Sequence, residues 1–334
     1  MNVEPFSLPL SRPLSTATGT IDERAGYLVR VDLDGCTGVG EAAPLPGWTE
    51  SLEECESALR SVSDPVAAAG DGTLAGRPAA RHGVSLAVLD ARARAADRPL
   101  YRYLGAREQR RRVPVNATVG DGAPGETAAA TAGAVKAGYP AVKVKVGARS
   151  LSADLERLRA LRARCPDVEL RVDANGAWAR PTAERALAAL ADLGVALVEQ
   201  PLAAADLAGH ADLAGGETGV ALDEGLVEHG FDAVLEAGAA DAVVCKPMAL
   251  GGIDAARTVA ERAREAGLAA VVTTTIDGAV ARAGAVHLAA SLPDVPACGL
   301  ATGDRLATDL AEGVAPVRSG AVAVPQGKGN VPPP

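Results

Sequence analysis

The chain of 334 residues carries 33 Lys plus Arg against 42 Asp plus Glu, a formal net charge of −9, with 48% hydrophobic and 22% charged residues. That composition is globular rather than disordered, and the length allows a large core or two domains. It is too acidic for nucleic acid or an anionic membrane surface to be the main partner, so a small anionic substrate must be drawn in by individually placed cations.

The N-terminal stretch MNVEPFSLPLSRPLS has no basic segment leading into a long apolar core, and no apolar run reaches membrane-spanning length. A soluble, cytoplasmic protein is expected. The five cysteines are dispersed and form no CxxC pair, which argues against structural zinc and against a disulfide framework. Short apolar runs around YLVRVDLDGCTGVGEAAPLPG predict a small antiparallel sheet over residues 1 to about 50. SLEECESALRSV and HGVSLAVLDARARAA then predict two helices, the second ended by Pro99. Residues 1–110 thus form an α+β unit.

Residues 111–305 change style. The runs VPVNATV, AVKVKV, VELRVDA, VALVEQP, GVALDE, DAVVCKP, AAVVTTT and ACGLAT alternate with Ala-rich amphipathic helices. Eight parallel strands separated by helices predict a (β/α) barrel of the TIM type, with a doubly wound open sheet as the alternative. The tail, 306–334, contains strand-like VRSGAVAVPQ and is expected to return to the first unit.

One barrel strand breaks the apolar rule. In AVKVKVG, Lys143 and Lys145 share one face of a strand whose other face carries Val142, Val144 and Val146. Solvated lysines on an edge strand are the plain explanation, but only five of the 33 basic residues are lysine, and two of them stand here. Further along, Asp173 ends ELRVD, Glu199 ends ALVE, Asp223 ends VALD and Lys246 ends AVVCK. Each follows the last by roughly 25 residues, one strand–helix–strand step, so successive strands deliver an ionisable group at the same height on the barrel's C-terminal face, where such enzymes do their chemistry.

Three acids meeting there require a cation. Hard oxygen donors on rigid strands suit Mg²⁺ better than zinc, and none of His82, His210, His229 and His287 falls at a strand end. A carboxylate substrate held by Mg²⁺ has an acidified α-proton, because its enediolate is stabilised. A lysine beside that carbon is then the base, with neighbouring cations lowering its pKa. Lys145, nearer the strand end, is the candidate for proton transfer, and Lys143 for tuning it or holding the substrate.

The motifs GVGEAAPLPG, KVKVG, RVDANGAW, VEQPL, ALDEG and CKPMALGG together resemble the muconate-lactonising subgroup of the enolase superfamily over essentially the whole chain. A lysine base working with Mg²⁺ is a general pattern of that superfamily. Within the subgroup, Arg171 and Asp173 in RVDANGAW are similar to the RxDAN motif of the o-succinylbenzoate synthase family. That resemblance implies syn dehydration of 2-succinyl-6-hydroxy-2,4-cyclohexadiene-1-carboxylate in menaquinone biosynthesis. It also implies Asp173, Glu199 and Asp223 as metal ligands, Lys145 as base and then acid, and Lys246 as the cation opposite. The 1–110 unit becomes a capping domain whose loops, Ser15 to Thr20 and Leu45 to Thr49 with Trp48, cover the barrel mouth and set specificity. Period two points the Arg171 guanidinium inward beside the metal site. Thr274 and Thr275, where many relatives carry serines, are expected to donate to a substrate carboxylate. The alternative is an N-acylamino acid racemase or dipeptide epimerase using Lys145 and Lys246 as two bases. The Asp-x-Asp typical of dipeptide epimerases is absent from CGLATGD, where only Asp304 occurs. A mandelate-type reaction lacks its usual His, and a scaffold without activity would be expected to lose at least one of five charged positions.

Overall fold

The computed structural model describes residues 1–16 and 19–331. β1 (Asn2–Thr16), β2 (Gly19–Leu33) and β3 (Cys36–Ala42) form an antiparallel sheet in that order. Alternation in YLVRVDL buries Tyr27, Val29 and Val31 on one face. Then come α1 (Leu52–Ser61), started by a capping box between Ser51 and Glu54, α2 (Pro65–Ala68), α3 (Pro78–Ala95) and α4 (Leu100–Tyr103). The GVG of the third strand is a packing device. A Cβ at Gly38 would stand 2.0 Å from the Ala87 carbonyl oxygen and one at Gly40 1.9 Å from that of Gly83, so β3 and α3 touch backbone to backbone.

The remainder alternates strand and helix: β4 (Arg112–Pro114), β5 (Asn116–Val119), α5 (Pro124–Lys136), β6 (Ala141–Lys145), α6 (Leu151–Arg164), β7 (Glu169–Asp173), α7 (Arg180–Ala191) and β8 (Val195–Glu199). It continues through α8 (Leu207–Leu213), β9 (Gly219–Leu222), α9 (Glu224–Glu236), β10 (Ala242–Cys245), α10 (Ile253–Glu265), β11 (Ala269–Val272) and α11 (Ala279–Ser291) to the tail strands β12 (Val317–Arg318) and β13 (Ala321–Ala323). Among the described residues, β5 to β11 form one curled parallel sheet in sequential order.

The TIM-type expectation holds with two local differences. VPVNATV is not one strand: Arg112–Pro114 pairs antiparallel with β13, and the parallel ladder starts only at Asn116. Pro114 has no N–H to give, and its carbonyl accepts from Cys298 instead. The eighth strand shrinks to single bridges from Cys298 to Val115 and from Gly299 to Thr273, which join the two sheet edges. A Cβ at Gly299 would lie 2.4 Å from Thr273 Oγ1, whose hydroxyl donates to the Gly299 carbonyl at 2.8 Å, so glycine alone lets that seam close.

The tail runs back along the molecule. β13 pairs with β4, Asn330 N–H donates to Asp90 of α3 at 2.6 Å, and Leu306 bridges Leu10. α11, buried along nearly its whole length, is the hub. Its His287 accepts the Tyr101 N–H at Nδ1 (3.2 Å), which leaves Nε2 to donate to the Asn330 carbonyl at 2.7 Å. Burial pushes that imidazole down to about 4, against the bond to Asn330. Because the folded pKa lies below the unfolded value of about 6.5, the stability this neutral ring contributes is complete above pH 6.5 and is lost as pH falls towards 4. The loss should reach about 3 kcal/mol. Urea denaturation at pH 7 and pH 4 should therefore show the stability gap between wild type and His287→Gln shrinking by about that amount; an unchanged gap would remove His287 from the acid response.

Candidate active site

The ladder register places Lys145 of β6 beside Asp173 of β7, and Asp173 beside Glu199 of β8. Glu199 in turn faces Ala221 of β9, so Asp223 lies two residues beyond that level, and Lys246 lies beyond the last ladder pair of β10. The charges do not share one height. They climb around the mouth, because closing a sheet staggers neighbouring strands. Beneath them Val142, Val144, Val172 and Val198 face outward into a fully buried apolar cluster that holds the strands rigid.

The six charges neutralise one another. Lys143 Nζ donates to Glu199 at 2.7 and 2.8 Å and to Asp173 at 3.0 Å. Lys145 Nζ donates to Asp173 Oδ2 at 2.6 Å and to Asn175 Oδ1 at 2.7 Å. Lys246 Nζ lies 2.5 Å from Asp223 Oδ2 and 3.5 Å from the centroid of the Trp48 ring. The lysines differ in access: the Lys145 side chain is 38% exposed, those of Lys143 and Lys246 15% and 13%.

Burial governs the protonation of this cluster. Burial, with Asp173 alongside, pushes the Glu199 carboxyl up to about 7 despite Lys143. Burial also raises the Asp223 carboxyl, with Lys246 opposing. For Asp173 burial works upward too, but Lys143 and Lys145 together hold it well below the usual carboxylate range. Lys143 is raised: burial disfavours its charge, and Glu199 and Asp173 outweigh that. Lys143 therefore stands as a cation shared between two acids. Among the described residues no three acid, His or Cys side chains already converge in cation-binding geometry, because ammonium groups occupy the space between the carboxylates.

Arg171 points inward as expected, among the residues that line the barrel centre. Its guanidinium is buried one register step below the acids, bound to Glu169 Oε1 at 2.6 Å and to the Ala297 carbonyl at 2.7 Å, and makes no hydrogen bond to the acid cluster. Glu169, two residues earlier on the same strand face, claims it. Thr274 and Thr275 are both buried; the first shares a hydrogen bond with Thr302 Oγ1 at 2.8 Å and the second donates to Asp277. The Thr275 proton is thus already given away. Asn175 and Glu224 were not singled out from the sequence, although both lie inside RVDANGAW and ALDEG. Asn175 Nδ2 donates to Glu224 Oε1 at 3.1 Å, which extends the Lys145 network to the start of α9. Residues 17 and 18, within the expected Ser15–Thr20 loop, lie outside the described residues. The Leu45–Thr49 loop does reach the mouth, through Trp48.

At the barrel centre a void of about 20 Å³, lined by Asn116, Lys143, Arg171, Glu199 and Thr273 among others, has room for one water. A larger cleft of about 460 Å³ lies between Thr20–Ala25 and Pro44–Pro46 with Leu52. None of the strand-end charges lines it; its wall carries Asp22 and Glu23 beside the buried Arg24.

Residues 126–330 match the model of the enolase C-terminal domain-like family, and residues 2–91 match that of the MenC N-terminal domain. The chain belongs to the enolase superfamily. It is an enzyme of that superfamily by its whole-chain likenesses. The L-Ala-D/L-Glu epimerase of Bacillus subtilis is 32% identical over 306 residues, 86% of this chain and 83% of that protein. The o-succinylbenzoate synthase of Mycobacterium tuberculosis is 40% identical over 221 residues, 63% of each chain. The structure of a dipeptide epimerase from Enterococcus faecalis, complexed with Mg and the dipeptide L-Leu-L-Tyr, is similar with a TM-score of 0.88 at 26% identity, covering 98% of this chain and 97% of that one.

Among these superfamily side chains Lys143 carries the heaviest electrostatic burden. Lys143→Met should cost about 3 kcal/mol in urea denaturation without added metal, because it leaves two buried carboxylates without their shared counter-ion. A cost under about 1 kcal/mol would mean that the acids take their protons or other partners without strain.

Proposed function

We propose that this enzyme removes the α-proton of a small carboxylate substrate and that its reaction is the o-succinylbenzoate synthase dehydration. The observation that carries this reading is the inequality of the two lysines. Lys145 is the more exposed and is the base in the proposed reaction. Lys246, held between Asp223 and the Trp48 ring, is suited to a fixed position opposite the base. One base suffices for a syn elimination: Lys145 takes the α-proton, the electron pair left on carbon moves towards the carboxylate and then expels the hydroxyl, and Lys145 returns the proton to that hydroxyl as it leaves as water. Lys246 stabilises the negative charge in between. Thr274 and the part-buried Lys143 are proposed to help orient the carboxylate. The partial identity to the mycobacterial synthase and the match to the MenC N-terminal domain support the same reading.

Asp173, Glu199 and Asp223 are proposed to hold one Mg²⁺. The donor set fits: three hard carboxylates on rigid strand ends, one of whose oxygens, Asp223 Oδ1, is buried without a partner. Bound Mg²⁺ would supply Lewis-acid polarisation of the substrate carboxylate, which acidifies the α-proton.

Racemisation or epimerisation of an N-acylated amino acid or dipeptide is the second reading. The long alignment with the Bacillus epimerase favours it, and it is about as well supported. Against it, the only acid in CGLATGD is the exposed Asp304, which gives a dipeptide ammonium little to bind at the eighth position.

Two measurements test these assignments. In a Mg²⁺ titration followed by thermal unfolding, wild type should gain about 2.7 kcal/mol at a hundredfold excess over Kd, and Glu199→Gln should gain far less. Equal gains would break the ligand assignment. In deuterium oxide, Lys145→Ala should abolish α-proton exchange, whereas Lys246→Ala should keep exchange measurable and lower dehydration by about 10² to 10³. If each variant instead abolishes exchange of one enantiomer of an N-acyl amino acid, and wild type does not dehydrate the cyclohexadiene, the epimerase reading replaces the synthase.

A further inference from the structure

The segment between β11 and α11 contains a backbone anomaly. Ile276 has φ of +62°, in the left-handed region, where a β-branched side chain is an outlier. Such a conformation persists only where surrounding structure over-determines it. Two buried charges of the N-terminal sheet supply that constraint. Arg24 of β2, 2% exposed, spans the junction: it donates to the Ala43 carbonyl at 2.6 Å, the Pro44 carbonyl at 2.9 Å and the Ile276 carbonyl at 3.3 Å. Glu41 of β3, fully buried, accepts from the Gly278 and Ala281 N–H groups at 2.7 and 2.8 Å. A Cβ at Gly278 would stand 3.0 Å from both Glu41 carboxylate oxygens and 2.8 Å from Leu310, so a side chain there would press directly on the Glu41 carboxylate. Asp277, between the two clamped positions, accepts from the Thr275 hydroxyl, and its own carbonyl accepts from Arg282.

We propose that Arg24 and Glu41 are positioning residues: they clamp Thr273–Gly278 in a conformation that Ile276 resists, and so fix where Thr274 and Thr275 stand at the barrel mouth. This rests on the reading that the substrate meets the enzyme at that end of the strands. Neither residue touches the reacting atoms. Each acts from the N-terminal sheet on a loop of the barrel, which makes the fit of the two parts a determinant of substrate binding.

The clamp is read directly by amide hydrogen exchange on the full chain, with no substrate present. Arg24→Met should speed exchange over residues 274–282 by about tenfold or more while the amides of β6 to β10 keep wild-type protection. Glu41→Gln, which keeps one acceptor, should act in the same direction but less, and serves if the arginine variant does not fold. Replacing Ile276 by Asn, which enters the left-handed region at lower cost, should restore protection in the Arg24→Met background. A merely structural arginine would not be rescued in this way. In assays with the operative substrate, Arg24→Met should raise KM more than it lowers kcat, and the Ile276→Asn double variant should recover part of the loss. The proposal is overturned if both single variants exchange over 274–282 like wild type, or if the double variant exchanges as fast as Arg24→Met. The exchange result stands apart from activity, so failure of the clamp and failure of the proposed reaction are told apart.

Discussion

Everything at the mouth of this barrel follows from one electrostatic constraint: three carboxylates and three ammonium groups are held on rigid strand ends with little water between them. None can be buried charged without its neighbours. Lys143 satisfies Asp173 and Glu199 at once, Lys145 shares Asp173 with Asn175, and Lys246 answers Asp223. The balance is incomplete at two points. Glu199 sits near 7 rather than in the ordinary carboxylate range, and Asp223 keeps one buried oxygen without a partner. In the proposed function, that residual demand for positive charge is what a bound Mg²⁺ would meet. The valines on the opposite strand faces matter for the same reason, since a softer scaffold would let the charges drift apart into water.

The N-terminal sheet handles its buried charges differently. Arg24 and Glu41 bind backbone carbonyl and N–H groups, which cannot titrate or leave. The mouth charges bind one another, and those partners can be exchanged when a ligand offers better ones. One arrangement is therefore suited to holding two parts of the chain together and the other to chemistry. This difference in partner type, more than burial itself, separates the two sets of charges, because Arg24, Glu41, Asp173 and Asp223 are all at most 2% exposed.

Much of this was legible in the sequence because two periods survive in it. Period two put Lys143 and Lys145 on one face of a strand, and the repeat of strand and helix brought Asp173, Glu199, Asp223 and Lys246 to one end of the sheet. What stayed hidden depends on relations across the chain. The climb from Glu199 to Asp223 is set by register between strands, which spacing along the chain does not carry. The eighth strand dwindled to Cys298 and Gly299 because contact with Thr273 leaves room for no side chain at the second of them. The inward direction of Arg171 was legible but its partner was not: Glu169 shares its strand face, and a guanidinium takes the carboxylate within reach before a more distant one. The left-handed Ile276 had no local signal at all, since glycine or asparagine usually marks such a position and the cause lies in Arg24, 252 residues away.

The contact between Trp48 and Lys246 links the two parts of the molecule to the choice of reaction. An ammonium 3.5 Å from an indole centroid and bound to a carboxylate gains from both partners only while it is charged. Both contacts also constrain where it stands: the indole of the Trp48 loop and the carboxylate that follows β9 hold the Lys246 ammonium from two sides. As a second base, in the epimerase reading proposed above, Lys246 would have to reach a substrate carbon, which calls for movement against those two contacts. A fixed electrostatic role needs no such movement, since the ammonium can face a planar anion while the indole stays beside it. Specificity and reaction type are in this sense coupled: the Trp48 loop at the mouth also holds the lysine beneath it in place.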